Sequence, residues 1–177
     1  LREKIGLVSA DLQQGFVPEV SGLGVVVSGL HNSIGLFHYQ NVTQAELARG
    51  RAVLEELGIA DLANRPYKQM STGQQRRCLL GRALIHDPEH LILDEPTSGL
   101  DLHATYHYLN GVRQLLQRGK TILLATHHIH EIPPEIERVV FIADGRVVAD
   151  GPKAEMLSDG RLSELFGMPL VVSVSNG

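Results

Sequence analysis

An α/β fold built on a parallel sheet is predicted from three observations. The apolar run Leu91-Ile92-Leu93 passes directly into Asp94-Glu95-Pro96. A helical segment capped by Asp101 follows and leads to a second apolar run, Thr121 to Ala125. Two capping boxes, at Thr43 and Ser71, open bounded helices upstream. Strand, helix and strand in this order close as a right-handed crossover.

Taken in order, Ile5 to Val8 reads as a short buried strand running into a loop across Ala10 to Gly15. Thr43-Gln-Ala-Glu caps a helix whose Leu47, Val53, Leu54 and Leu57 recur at near-helical spacing until Gly58 stops it. Ser71 with Gln74 caps a second helix carrying Cys78, Leu79, Ala83, Leu84 and Ile85, which Asp87 and Pro88 end. Leu91 to Leu93, apolar without alternation, predicts a strand covered on both faces, its acids at the carboxyl end. The helix after Asp101 turns Tyr106, Leu109, Val112, Leu115 and Leu116 inward and stops at Gly119. Val139 to Ala143 and Arg146 to Ala149 flank Asp144-Gly145, a type I′ hairpin signal, and short helices are expected near Lys153 to Leu157 and Leu162 to Phe166.

The chain's 177 residues are enough for one domain with a real core. With 43% hydrophobic and 20% charged residues, disordered and low-complexity classes are disfavoured. Sixteen basic against twenty acidic side chains leave a net charge of -4, so no global electrostatic pull toward nucleic acid or an anionic membrane is expected. The longest apolar stretches fall far short of the roughly 20 residues of a spanning helix, and no signal peptide is apparent. A lone Cys78 excludes an internal disulfide framework and is expected to pack in the core.

Ligands of an open parallel sheet bind beyond the carboxyl ends of its strands, where Asp94, Glu95, Thr126 and His127 emerge. One carboxylate there can hold a hydrated Mg²⁺ while its neighbour polarises a water. By themselves the two acids fit a turn or helix cap as well as a catalytic pair. Met70-Ser71-Thr72-Gly73-Gln74 likewise fits both a plain capping box and an anion site made of a hydroxyl and helix N–H groups. Arg76 and Arg77 read as a solvated face. His103 and His107 are four apart on a helix, and without an H-E-x-x-H pattern helical spacing accounts for them better than a zinc cluster does.

Order and spacing decide between these readings. Met70 to Gln74, Leu91 to Pro96, Thr97-Ser98-Gly99-Leu100-Asp101 and Ala125-Thr126-His127 together resemble the ATP-binding cassette (ABC) ATPases, as the signature motif, Walker B strand, D-loop and switch histidine of that family. The resemblance implies a P-loop NTPase-like three-layer core (1–15 and 90–177) with a helical subdomain (16–69 and the signature helix 71–86). It implies ATP and Mg²⁺ as ligands, with Asp94 meeting the metal through water, Glu95 as general base and His127 on the γ-phosphate. Ser71, Gly73 and Gln74 would reach a nucleotide held by the opposite subunit of a head-to-tail dimer, and Asp101 would couple the two sites. The implied partners are a second ABC ATPase subunit and transmembrane permease subunits at the cytoplasmic face of the membrane, with no nucleic acid.

Three departures from the family pattern shape the expectation. No G-x-x-x-x-G-K-[ST] loop occurs, so Leu1 is expected to fall inside a longer cassette, and this chain alone is expected to bind MgATP very weakly. Thr72 stands where the family usually has Gly, at a cost of about 1–2 kcal/mol if its φ is positive. The family's Q-loop glutamine, a metal and water contact, aligns with Ala10; of the neighbouring Gln13 and Gln14, Gln13 is taken for that role. The stretch 16–69 matches the family's permease-docking arm, although Val25 to Val27, Leu30, Ile34, Leu36 and Phe37 are expected mostly to pack internally. The rival readings are a non-hydrolysing assembly piece that lends its signature face to a partner's nucleotide, and a soluble cassette acting on nucleic acid or ribosomes.

Overall fold

A computed structural model of the chain describes residues 4–9, 13, 15–37 and 40–173. Two compact units divide at Glu131 and Ile132. The first holds a three-stranded parallel sheet in the order β1 (Ile5–Val8), β2 (His90–Asp94), β3 (Thr121–Ala125). Val8 pairs with Leu93, and Leu93 with Leu124, so the strands finish almost level and Asp94 stands beside Ala125.

Helices α1 (Gly22–Val27), α2 (Gln44–Glu56), α3 (Thr72–Leu84) and α4 (Leu102–Gln117) complete this unit. Both expected capping boxes form: Thr43 and Glu46 exchange bonds at the start of α2, and Ser71 and Gln74 at the start of α3. Each satisfies two orphan donors, and losing such a cap costs about 1 kcal/mol. The short α1 is buried all round, with Val25, Val26 and Val27 inaccessible. Six apolar residues without polar interruption carry no helical period, which is why the sequence shows only their burial. Gly6 lets α3 sit close on β1, since a Cβ there would stand 2.7 Å from the Ala83 carbonyl oxygen.

Two expectations about faces are corrected. Strand β2 is covered on one face rather than two: Leu91 and Leu93 are buried, while Ile92 is only half-buried between Leu7, 49% exposed, and Leu123, 60% exposed, on the neighbouring strands. On α4 the inward residue is Tyr108, with Val112 and Leu115, and Tyr106 is exposed. Two positions along a helix rotate a side chain by about 200°, so only one of these tyrosines can face the core.

In the second unit, β4 (Arg138–Ala143) and β5 (Arg146–Pro152) form an antiparallel hairpin. Asp144 and Gly145 both take positive φ, 49° and 70°, as the type I′ turn requires. Short helices α5 (Lys153–Met156) and α6 (Asp159–Phe166) follow, the latter ended by Gly167 in the left-handed conformation. No helix among the described residues is long and apolar enough to cross a membrane.

Candidate functional site

Asp94, Glu95 and His127 lie at and just beyond the carboxyl ends of β2 and β3. Asp94 is the last residue of β2 and is exposed. Glu95 follows with φ +42°, a left-handed backbone that a non-glycine residue adopts only at a cost of about 1–2 kcal/mol. Its amide donates to the Ala125 carbonyl at 2.9 Å, and its own carbonyl accepts from Ser98 N–H at 3.2 Å. The sharp turn brings its carboxylate to the next loop. There His127 Nδ1 donates to Glu95 Oε1 at 3.0 Å. A carboxylate only accepts, so this contact puts a proton on Nδ1 and leaves Nε2 for another group. Both side chains are about half exposed, so the contact is open to solvent and to a ligand.

A second cluster forms where α3 and α4 begin. Ser71 Oγ accepts from the Gln74 amide at 3.3 Å, Gln74 Oε1 accepts from the Ser71 amide at 3.0 Å, and the Ser71 hydroxyl hydrogen is left to donate outward. Thr72 is the first helical residue and is not among the positive-φ positions, so its β-branch carries no left-handed strain. Gly73 is the contact point with α4: a Cβ there would lie 2.6 Å from the Ala104 Cβ. Ala104 in turn donates its amide to Asp101 Oδ1 at 2.7 Å, the N-cap bond of α4. The structure therefore sets Ser71, Gly73 and Gln74 beside the helix start that Asp101 caps.

Gln13 is held differently from the acids. Its Nε2 donates to Gln75 Oε1 at 2.7 Å, and Gln75 Nε2 donates to the Tyr67 carbonyl at 2.9 Å, which ties it to α3 and leaves its amide oxygen without a partner among the described residues. Ala10 and Gln14, the other positions weighed for that role, lie outside the described residues.

Arg76 corrects the solvated-face expectation, being 3% exposed, with Nε and Nη1 lacking hydrogen-bond partners among the described residues. It lies close enough to Tyr67 and Tyr108 to oppose, in part, the rise that burial imposes on both phenols. Arg77 is partly exposed. Cys78 is fully buried as expected, and burial pushes its thiol up to about 12. His103 and His107 meet at 3.1 Å between Nε2 atoms.

One residue bonded to both the loop of Glu95 and the loop of His127 was not legible. Glu131, four beyond His127, is buried and accepts hydrogen bonds from Thr97 Oγ1 and Thr126 Oγ1. An acid in a one-turn 3₁₀ segment has no sequence signature; only the fold turns it inward.

The family model described as "ABC transporter" matches residues 1–98. The uncharacterized ABC transporter ATP-binding protein YlmA of Bacillus subtilis (strain 168) is 41% identical over 174 residues, 97% of this chain and 65% of YlmA. The chain thus spans just under two thirds of that relative's length. Among solved structures, an inward-facing putative metal-chelate type ABC transporter superposes with a TM-score of 0.82 over 98% of this chain and 69% of that one, at 22% identity, which speaks for the fold. The ATP-binding cassette MJ0796, a dimer in a post-hydrolysis state bound to ADP and Pi, superposes at 0.67 over 85% of this chain and 63% of that one, with 26% identity. The fold is accordingly the P-loop NTPase-like α/β fold of these cassettes. With the family model covering more than half of its residues, this chain belongs to the ABC transporter ATP-binding family.

Proposed function

We infer that this chain is the signature-and-Walker-B part of an ATP-hydrolysing subunit that couples MgATP hydrolysis to transport through a head-to-tail dimer. The observation that carries this reading is the 3.0 Å contact between Glu95 and His127, two chemically suited groups from different loops, above the end of a parallel sheet.

In this reading Glu95 is the general base. Its carboxylate takes a proton from the water that attacks the γ-phosphate. His127, oriented by its Nδ1 bond, turns Nε2 outward, and in its doubly protonated form it donates from there to a γ-phosphate oxygen. Asp94 offers an exposed hard oxygen donor, and the amide oxygen of Gln13 is another; both suit a cation that keeps much of its water, as Mg²⁺ does. Bound there, Mg²⁺ would neutralise phosphate charge. Ser71, Gly73 and Gln74 supply a hydroxyl, helix N–H groups and an amide to the nucleotide of the opposite subunit, at the positive end of a 13-residue helix. Asp101 couples the two sites through the α4 start that touches Gly73. The MJ0796 cassette, dimeric in a post-hydrolysis state with ADP and Pi, supports a dimeric hydrolase.

The remaining assignments follow from the family. Permease subunits of a membrane complex are the partners, the subunit sits on the cytoplasmic face, and residues 16–69 with the signature helix form the arm that meets the permease. No phosphate-cradling G-x-x-x-x-G-K-[ST] loop lies within these 177 residues, so these residues alone should show no saturable MgATP binding below about 1 mM. The deciding experiment is ATP hydrolysis by the full-length subunit with its partners. Glu95→Gln should lower kcat by about 10²–10⁴-fold while nucleotide binding stays within about threefold. Unchanged turnover in that variant would remove Glu95 as the base.

A further inference from the structure

We propose that Glu131 is a positioning residue for hydrolysis: a buried clamp that holds the loop bearing Glu95 against the loop bearing His127. The proposal rests on the ATPase reading for its chemistry and on the hydrogen bonds for its geometry.

Two loops far apart in sequence must be held in register for the Glu95–His127 contact to exist. On the strand side, the Glu95 amide bonds to the Ala125 carbonyl. A backbone bond at one point still allows the loops to splay beyond it. The second point is Glu131, 5% exposed, whose Oε2 accepts from Thr97 Oγ1 in one loop and from Thr126 Oγ1 in the other, the latter at 3.1 Å. Thr97 is itself buried, two residues past Glu95; Thr126 immediately precedes His127. The Thr126 hydroxyl also accepts from the His128 amide at 3.0 Å, so the carboxylate fixes the backbone on the far side of His127 as well. Glu131 reaches this place because its 3₁₀ turn, Ile129–Glu131, folds back, its amide donating to the His128 carbonyl at 3.1 Å. One oxygen therefore serves both loops at once. Its side-chain partners among the described residues are the two threonines, and its effect passes through Glu95 and His127.

The chemistry asked of Glu131 is acceptance of two hydroxyl hydrogens, not charge. A glutamine can accept both with its amide oxygen, whereas alanine cannot. Misplacement of reacting groups by about 1 Å costs on the order of a hundredfold in rate. In the full-length subunit assembled with its partners, Glu131→Ala should therefore lower kcat about a hundredfold with KM for MgATP within about twofold, and Glu131→Gln should restore kcat to within about threefold of wild type. The double substitution Thr97→Val with Thr126→Val should reproduce the alanine defect while leaving Glu131 in place. Independently of turnover, the His128 amide should exchange its hydrogen at least about tenfold faster in Glu131→Ala than in the wild type or Glu131→Gln.

The clamp is overturned if Glu131→Ala keeps its kcat, if glutamine is as damaging as alanine, if the double threonine variant is fully active, or if His128 exchange does not change. Failure of the ATPase reading looks different: the wild type would not hydrolyse ATP, or Glu95→Gln would leave hydrolysis intact. The exchange measurement then still decides whether Glu131 holds the two loops.

Discussion

His127 Nδ1 lies 3.0 Å from Glu95 Oε1 across 32 positions of sequence, and the Glu95 backbone is bent into the left-handed region to make that approach. The neighbouring strands end level, Asp94 beside Ala125, so the turn after β2 and the loop after β3 start from the same height. The strain at Glu95 is local, and the close approach of the two side chains is its return.

That strain can be measured. Glu95→Gly removes the Cβ clash of a residue at φ +42° and gives up only a half-exposed side-chain contact. It should raise unfolding free energy by about 1 kcal/mol while ATP turnover is lost. Urea denaturation of both forms checks the first point; a variant less stable than the wild type would show that the turn is not strained.

Gly73 should be intolerant of a single methyl group. With the nearest Ala104 carbon at 2.6 Å, Gly73→Ala must push α3 and α4 apart, at a cost of about 1–3 kcal/mol. Ala104→Gly in the same molecule should recover most of that loss. A double-mutant cycle with a coupling energy near zero would contradict a direct contact.

Burial of Cys78 makes stability fall at alkaline pH. Its thiol, ordinarily near 9, is pushed up to about 12, so between those values the native chain keeps a proton that the unfolded chain has released. Stability is thus complete below about pH 9 and declines above it by up to about 1.4 kcal/mol per pH unit for this group. Tyr67 and Tyr108, whose phenols burial also raises, steepen the fall above pH 10. Denaturation series at pH 8.0, 9.5 and 10.5 should show a shallower decline for Cys78→Ala, and the native thiol should resist alkylation near neutrality. Equal slopes in the two proteins would mean that Cys78 does not hold its proton so tightly.

Arg76 should be replaceable at a gain. Two of its guanidinium nitrogens are buried without partners among the described residues, at about 1–3 kcal/mol for such a group. Arg76→Met keeps the volume and removes the polar atoms, so it should stabilise the fold by about 1 kcal/mol or more. Thermal unfolding measures it, and a lower Tm would mean that the guanidinium is satisfied in solution.

What the sequence exposed and what it hid divide along physical lines. Features fixed by local chemistry were legible: the capping boxes at Thr43 and Ser71, the Asp144-Gly145 turn, and the acids at the end of β2. So was the meeting of Glu95 with His127, two residues that the order of the motifs places together. Features set by which side of an element meets a neighbour were not. Leu91 to Leu93 is uniformly apolar, yet only alternate residues are covered, because apolarity permits burial without supplying the covering layer. Tyr106 and Tyr108 are chemically equal candidates for the same core position, and the rotation of α4 chooses between them. Arg76 and Glu131 carry charges that sequence logic places in water, and the fold takes both inside.

The seating of Gly73 on Ala104 has a mechanical corollary. Two helices that touch without room for one more carbon have no slack between them, and protein interiors resist compression. An ångström of travel imposed on either helix start is handed to the other. Ser71 and Asp101 thus stand at two helix starts joined by that seat, and displacing either is expected to displace the other.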